Sequence, residues 1–474
     1  MNIPRRLKRE WILLIPIVFL ASTLTFYPHQ NYPYLLHVDE WFHIAEAKQV
    51  VLDNKIDWYT GKNFTLGMEK GWHLVLALIQ LIFKPTIKQW IYLPVILHIT
   101  SILVVYYFVY KLYSGREAII ASLLIALIPS NVTIGGPVFI VPVNLSLILI
   151  PLALIFAFKL VKIKNIYNYL LLLLIATFLL YSHPPTAMVL ILILTIYFLL
   201  QVSSKEERGE AIQLLIVIIS SIILSIPNYI PTLQRKGLES IKFNFWVYLE
   251  GIPLLYGFIP TIFFIIGVYI ISKKGDKRSW TLIIASLLLI VNILFFTRTG
   301  LTYLIPYQRT YIPLFLLVSI IASRGYSYIL RIDKPRRSTG LIILITLLIL
   351  TTYIAVERNI EEQYYHLIDD EDYHSFLWIR ENTSRGSIIL LNPWKARALP
   401  TIAERRVYAV MPFGPDKEEL KLVEETNRFL KNNCTNTTFL IENNINIVYT
   451  RGECKNKNLV EIKENIYILE THLV

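Results

Sequence analysis

Gly340-Leu-Ile-Ile-Leu-Ile-Thr-Leu-Leu-Ile-Leu-Thr-Thr352 contains no charged side chain, and its reading decides the class of fold. Arg336 and Arg337 precede it, and after Tyr353 the composition turns charged and mixed. Similar uncharged runs occur upstream at Ile119–Ile128 and Leu170–Leu180. Segments of about twenty apolar residues match a bilayer core roughly 30 Å thick. Composition agrees: of 474 residues, 55% are hydrophobic and only 17% charged, a pairing rare in soluble globular chains. The sequence therefore predicts a polytopic α-helical membrane protein.

Spans are expected near 11–27, 91–110, 117–130, 143–158, 166–182, 186–202, 211–227, 252–271, 280–296, 310–323 and 340–356, eleven in all. With Arg5, Arg6, Lys8 and Arg9 on the cytoplasmic side, the other cytoplasmic loops hold Lys111 and Arg116, then Lys159, Lys162 and Lys164. Lys205 and Arg208, Lys273 to Arg278, and Arg324 to Arg337 follow the same pattern. Loops 131–142 and 183–185, on the opposite side, hold no Lys or Arg. Short basic loops on one side are the positive-inside signature. The net charge of +12 is thus a topology signal, and it points away from nucleic acid because no basic face interleaved with aromatics exists. Gly71–Phe83 is too short for a span and reads as an interfacial helix. An odd span count then puts residues 357–474 outside, on the side of the long loop 28–90. The first apolar stretch reads as a signal anchor.

Residues 1–356 are the expected membrane domain, and 357–474 a small extracytoplasmic α/β domain. In the latter, Asp372–Asn382 and Lys417–Asn432 read as helices, and Ser387–Leu391, Ile445–Tyr449 and Asn465–Leu469 as strands. Asn-x-Ser/Thr patterns begin at Asn63, Asn131, Asn382, Asn433 and Asn436 on the expected outer side, and at Asn144 on a membrane edge. Cys434 and Cys454 are the two cysteines, and they read equally as a disulfide or as free thiols.

Candidate chemistry concentrates in His37-Val38-Asp39-Glu40-Trp41-Phe42-His43, which follows the first span closely. A carboxylate at the membrane surface suits general-base work on a hydroxyl. On a helix beginning at Asp39, Asp39 and His43 share a face, and Glu40 and His43 lie three apart. Either pair offers ligands to a divalent cation such as Mg or Mn. The plain structural alternative is that Asp39 only caps the helix. Arg298 and Arg309 bracket a late outer loop, and a guanidinium there suits bidentate phosphate binding. Snorkelling to water is its plain alternative. His183, beside Pro184 and Pro185, and His73 are further ligand candidates that read first as structural.

The order of basic end, first span and acidic outer loop resembles the GT-C superfamily of polytopic glycosyltransferases. Asp39-Glu40-x-Phe42-His43 looks like the acidic motif of the family's first outer loop. Gly71-Trp72-His73-Leu74, Lys111-Leu112-Tyr113-Ser114-Gly115-Arg116 and Ala126-Leu127-Ile128-Pro129-Ser130 continue the likeness. Phe376 to Thr383, Asn392-Pro393-Trp394 and Ala403 to Val407 resemble the soluble domain of archaeal members. The resemblance implies sugar transfer from a polyprenyl- or dolichyl-phosphate-linked donor to a lipid, glycan or protein acceptor on the outer face. By the same carry-over, Asp39 is the base or acceptor-positioning group, Glu40 a support or metal ligand, and Arg309 the donor-phosphate group. Two departures stand out. Loop Asn131–Asn144 has no acidic residue, and Asn392-Pro393-Trp394-Lys395-Ala396-Arg397 replaces the Trp-Trp-Asp-Tyr-Gly motif of oligosaccharyltransferases. The competing classes are a lipid or solute transporter and a non-catalytic receptor or assembly subunit. Span interiors nearly free of ionisable groups disfavour the former.

Overall fold

The computed structural model describes residues 5–53, 69–162, 165–203, 208–236, 242–244, 255–303, 305–332, 337–412 and 417–470. Asn63, Lys164, Lys205, Lys334 and Arg336 lie outside them. The chain divides into two compact units. The first comprises Met1–Asn31, Gly67–Gly71 and Ile91–Tyr364. The second joins Tyr32–Leu66 and Trp72–Trp90 to Tyr365–Val474.

In the first unit, each of the eleven expected intervals carries a helix. Among the described residues, eight helices are long and apolar enough to cross a membrane. The other three, Gly115–Ala126, Ile166–Ser182 and Phe258–Lys274, have 12, 17 and 17 residues. At about 1.5 Å per residue, the first of these rises about 18 Å, short of a bilayer core. It is instead packed inside the bundle, with Ala118, Ala121, Leu124 and Ile125 buried.

Burial separates a central helix from a peripheral one. The apolar window of Tyr307–Ile329 is 83% buried, whereas that of Thr339–Glu361 is 22% buried and presents Ile342 and Ile349 outward. Glycines let the central Tyr307–Ile332 helix approach Phe258–Lys274. A Cβ on Gly267 would stand 2.2 Å from the Ile321 carbonyl oxygen, and one on Gly325 2.1 Å from that of Phe263. Close backbone approach at small residues is how helices pack where lipid removes the hydrophobic drive. Phe263 and Tyr326 stack beside this crossing at 3.9 Å. The same central helix holds a buried ion pair, Arg324 Nη1 to Glu117 Oε1 at 3.0 Å. Strands β1 (Lys242–Asn244) and β2 (Leu301–Tyr303) pair antiparallel in this unit.

The second unit carries the helix Val38–Asp53, most of Lys70–Phe83, and a five-stranded mixed sheet. Its strands are β3 (Ile388–Leu390), β4 (Arg406–Val407), β5 (Ile447–Tyr449), β6 (Leu459–Lys463) and β7 (Ile466–Leu469), in the order β4-β3-β5-β7-β6. β3 is parallel to β4 and β5, with Ile389 opposite Val407 and Ile447. β5–β7 and β6–β7 are antiparallel. Asn465, at φ 66°, turns the β6–β7 hairpin, and Asn tolerates that left-handed region better than most residues.

Helix Lys417–Lys431 lays Val423, Thr426 and Phe429 on the sheet. Of the helix's other apolar residues, Leu420 is 38% exposed and Leu430 packs only partly. Cys434 and Cys454 are disulfide-bonded, with Cα atoms 5.2 Å apart. Cys434 packs in the core with Phe429, Leu440 and Val448. β4 escapes sequence reading because two residues give no alternation, and β6 because Glu461 and Lys463 interrupt its apolar residues.

Candidate active site

The helix Val38–Asp53 begins directly after the His37 turn, and its first turn carries Asp39 and Glu40. These neighbours are used differently. Glu40 is 1% exposed, and its Oε2 accepts the backbone N–H groups of Leu36 (2.9 Å) and His37 (2.8 Å). A carboxylate that reaches back to amides ahead of its helix is a capping device. Glu40, not Asp39, therefore fills the capping role that the sequence offered to Asp39. The Asp39 side chain keeps 14% exposure, and its Oδ2 lies 3.6 Å from His37 Nδ1. That nitrogen also accepts the Asp39 backbone N–H at 3.0 Å, which assigns the remaining imidazole proton to Nε2 in the neutral ring.

His43 and His73 meet: His43 Nδ1 and His73 Nε2 are 3.0 Å apart, and both rings are buried. Phe42 closes edge-on over His73, with ring centroids 5.4 Å apart. Burial pushes the His73 imidazole down to about 3, so it is neutral at physiological pH. The Gly71–Phe83 segment thus supplies a ring to the acidic-motif helix, which its sequence alone did not indicate.

The C-terminal segment is built onto this helix. Thr401 Oγ1 donates to the Trp41 carbonyl at 2.6 Å, and Lys48 Nζ donates to the Thr401 carbonyl at 2.8 Å. Lys48 also faces Glu404 at 3.8 Å. Burial lowers the Lys48 ammonium from its ordinary range, and the Glu404 charge opposes that shift. The Tyr365 N–H donates to the Leu36 carbonyl at 3.1 Å, and its ring approaches those of His37 and Trp394.

Arg397 is the residue that sequence reasoning missed. It is buried at the end of the turn Lys395–Arg397 and donates to the Met411 carbonyl. Burial pushes its guanidinium down to about 10, and Asp39 is the foremost negative charge opposing that shift. Its signal was present in the Asn392–Arg397 stretch, but as a missing motif rather than as a cation for Asp39.

The remaining candidates belong to the first unit. Arg309, near the start of Tyr307–Ile332, has Nη1 3.8 Å from the Cβ position of Gly135. Gly135 and Gly136 have φ of 80° and 122°, which favours glycine, and they shape loop 131–144. Asn144 holds that loop by donating to the Gly136 and Phe139 carbonyls at 2.7 and 2.8 Å. Asn144 is buried, so a modified side chain does not fit there. Arg298 is exposed in the last turn of Lys277–Thr299, ahead of Gly300. His183 caps Pro184–Val202, its Nδ1 2.7 Å from Thr186 Oγ1, as a helix-end reading expects.

No family model and no curated protein matches the chain. Solved structures do. The Archaeoglobus fulgidus oligosaccharyltransferase in the apo form superposes with a TM-score of 0.65 at 13% identity, over 93% of this chain and 69% of that one. AglB from the same organism, in complex with an inhibitory peptide and a dolichol-phosphate, gives 0.63 at 12% identity over the same shares. ArnT from Cupriavidus metallidurans, bound to undecaprenyl phosphate, gives 0.59 at 9% identity over 96% of this chain and 97% of that one. The chain shares the fold of these structures. Identity this low carries the fold alone and leaves the chemistry to the residues themselves. Within that fold, the residues singled out fall into two sets: His37, Asp39, Glu40, His43, His73 and Arg397 in one unit, Arg298, Arg309 and His183 in the other.

Proposed function

We propose that this protein is a membrane glycosyltransferase that moves a sugar from a polyprenyl- or dolichyl-phosphate-linked donor to an acceptor at the membrane surface. The observation that carries this reading is the division of labour at 39 and 40. Glu40 caps the helix start through two backbone amides, while Asp39 keeps 14% exposure beside His37 and lies within electrostatic reach of Arg397. A carboxylate with part of its surface exposed can meet an acceptor. The GT-C fold supports the reading, as do the lipid phosphates bound by AglB and ArnT.

In the proposed step, the acceptor oxygen or nitrogen attacks the anomeric carbon while its proton passes to Asp39. The bond from that carbon to the phosphate oxygen breaks, and the lipid phosphate leaves with the electron pair. A guanidinium suits the developing negative charge, because it stays cationic in a low-dielectric site, and Arg309 is the candidate for that role. Direct displacement inverts the anomeric centre. His37 positions Asp39.

The imidazole pair His43–His73 offers nitrogen, which suits zinc-like ions better than Mg. The basic loops support an orientation with the second unit outside the cytoplasm, where the Cys434–Cys454 bond would persist.

The test is sugar transfer by the purified protein from a polyprenyl-phosphate sugar, with chelator and metal add-back. Asp39→Asn abolishing turnover while the melting temperature holds is the expected result. Undiminished turnover in both Asp39→Asn and Arg309→Ala sinks the assignment.

A further inference from the structure

The C-terminal sheet holds a second site. From β3 the chain moves to β4 on one side, then crosses back past β3 to β5 on the other. Chain connections beyond β3 and β5 therefore diverge from a shared crevice at the carboxyl ends of two parallel strands. Open α/β sheets bind ligands at this topological switch point, because the diverging loops leave a gap that backbone and side-chain polar groups surround.

Here the gap is a cavity of about 380 Å³. Asn392 and Lys395, just beyond β3, form one wall, and Arg451, just beyond β5, forms another. Asn427 and Lys431, from the last turns of Lys417–Lys431, form the third. The volume lies in the range of small-ligand pockets. Every charged side chain lining it is cationic, and no carboxylate does so among the described residues.

Two of those cations are pre-positioned from behind. Asp372, its side chain 1% exposed, takes Lys395 Nζ at 2.7 Å and Arg451 Nη2 at 2.9 Å, and accepts the Tyr449 hydroxyl at 2.7 Å. Asp369 and Glu371 also pair with Arg451. Three groups are left for a ligand. Lys431 has no ion pair and Asn427 no side-chain hydrogen bond among the described residues. Asn392 uses its Oδ1 on the Trp394 N–H, at 3.0 Å, which leaves its amide hydrogens to donate.

We propose that this crevice binds a hydroxylated ligand carrying one oxyanion, namely a sugar bearing a carboxylate or a phosphate. Lys431 and the remaining Lys395 hydrogen meet the oxyanion by charge-assisted hydrogen bonds. Asn427 offers both a donor and an acceptor and Asn392 its amide hydrogens, which matches sugar hydroxyls. Asp39 does not line the cavity, and the proposal does not depend on the transfer reaction.

The test is calorimetric titration of the full-length protein in detergent with glucuronate, glucose 6-phosphate, glucose and inorganic phosphate. The same titrations on Asp39→Asn keep the outcome independent of turnover. Saturable binding of glucuronate or glucose 6-phosphate, at least about tenfold tighter than glucose, is expected. Whichever acid binds more tightly identifies the oxyanion. Lys431→Glu, on an exposed helix end, should weaken it about tenfold or more without moving the melting temperature. Asn427→Ala should weaken both acids while leaving their order unchanged. The proposal is overturned if neither acid binds, if glucose binds as well as the acids, if Lys431→Glu has no effect, or if inorganic phosphate alone matches glucose 6-phosphate.

Discussion

Asp39 and Glu40 have the same functional group and differ in surroundings, so each substitution should report a different property. Removing the Glu40 carboxylate strands two buried backbone N–H groups. Glu40→Ala is expected to cost about 1–3 kcal/mol, because a buried donor without a partner loses its water for nothing. It should lower the melting temperature and reduce transfer only as far as the His37 turn loosens. Asp39→Asn keeps the volume and removes the base. Transfer should drop by about 10²- to 10⁴-fold with the melting temperature unchanged, the usual contribution of a positioned general base. Parallel melting and single-turnover measurements separate the two roles, and a pair of variants with matching profiles would contradict the division drawn here.

At the scale of elements, one crossing and one ion pair in the helical unit are open to single substitutions. Gly267→Leu drives a side chain into the Ile321 carbonyl, which is backbone and cannot move aside. A loss of about 1–3 kcal/mol or more is expected, read as earlier thermal aggregation in detergent. Glu117→Gln leaves Arg324 without its counter-charge. Breaking a buried pair from one side costs about 3–5 kcal/mol, reduced here because the Arg324 side chain is 23% exposed.

In the sheet unit, the Arg451 hydrogen bond holds the Asp369 carboxyl well below the usual carboxylate range. The folded state therefore keeps that charge to lower pH than the unfolded chain, which takes up the proton first. The stabilisation is complete above the unfolded value of about 3.9 and is lost as pH falls below it. The melting temperature should decline from about pH 5 to about pH 3, and less steeply in Arg451→Met.

For the whole molecule, the disulfide closes a loop with a sequence separation of 20. Chain entropy for a loop of that size predicts about 3 kcal/mol of stabilisation. Cys454→Ser should lower the denaturation midpoint of the sheet unit, as should reduction of the native protein, while the helical unit melts as before.

The membrane class, the helices of the eleven intervals and the acidic motif were legible in the chain, because bilayer insertion is read from local hydropathy and needs no partner. The second unit's main helices and three of its strands were legible too, the strands as short apolar runs. Its assembly was not. Residues 32–53 join 365–470 through contacts such as those of Lys48, Trp41 and Leu36 with Thr401 and Tyr365, more than 300 positions away. That Glu40 caps is a local contact, with amides three and four positions away. That His43 meets His73, and that Arg397 faces the charge of Asp39, are contacts between distant segments. Local sequence sets the chemistry each side chain can perform. Only tertiary packing sets which groups it is brought to.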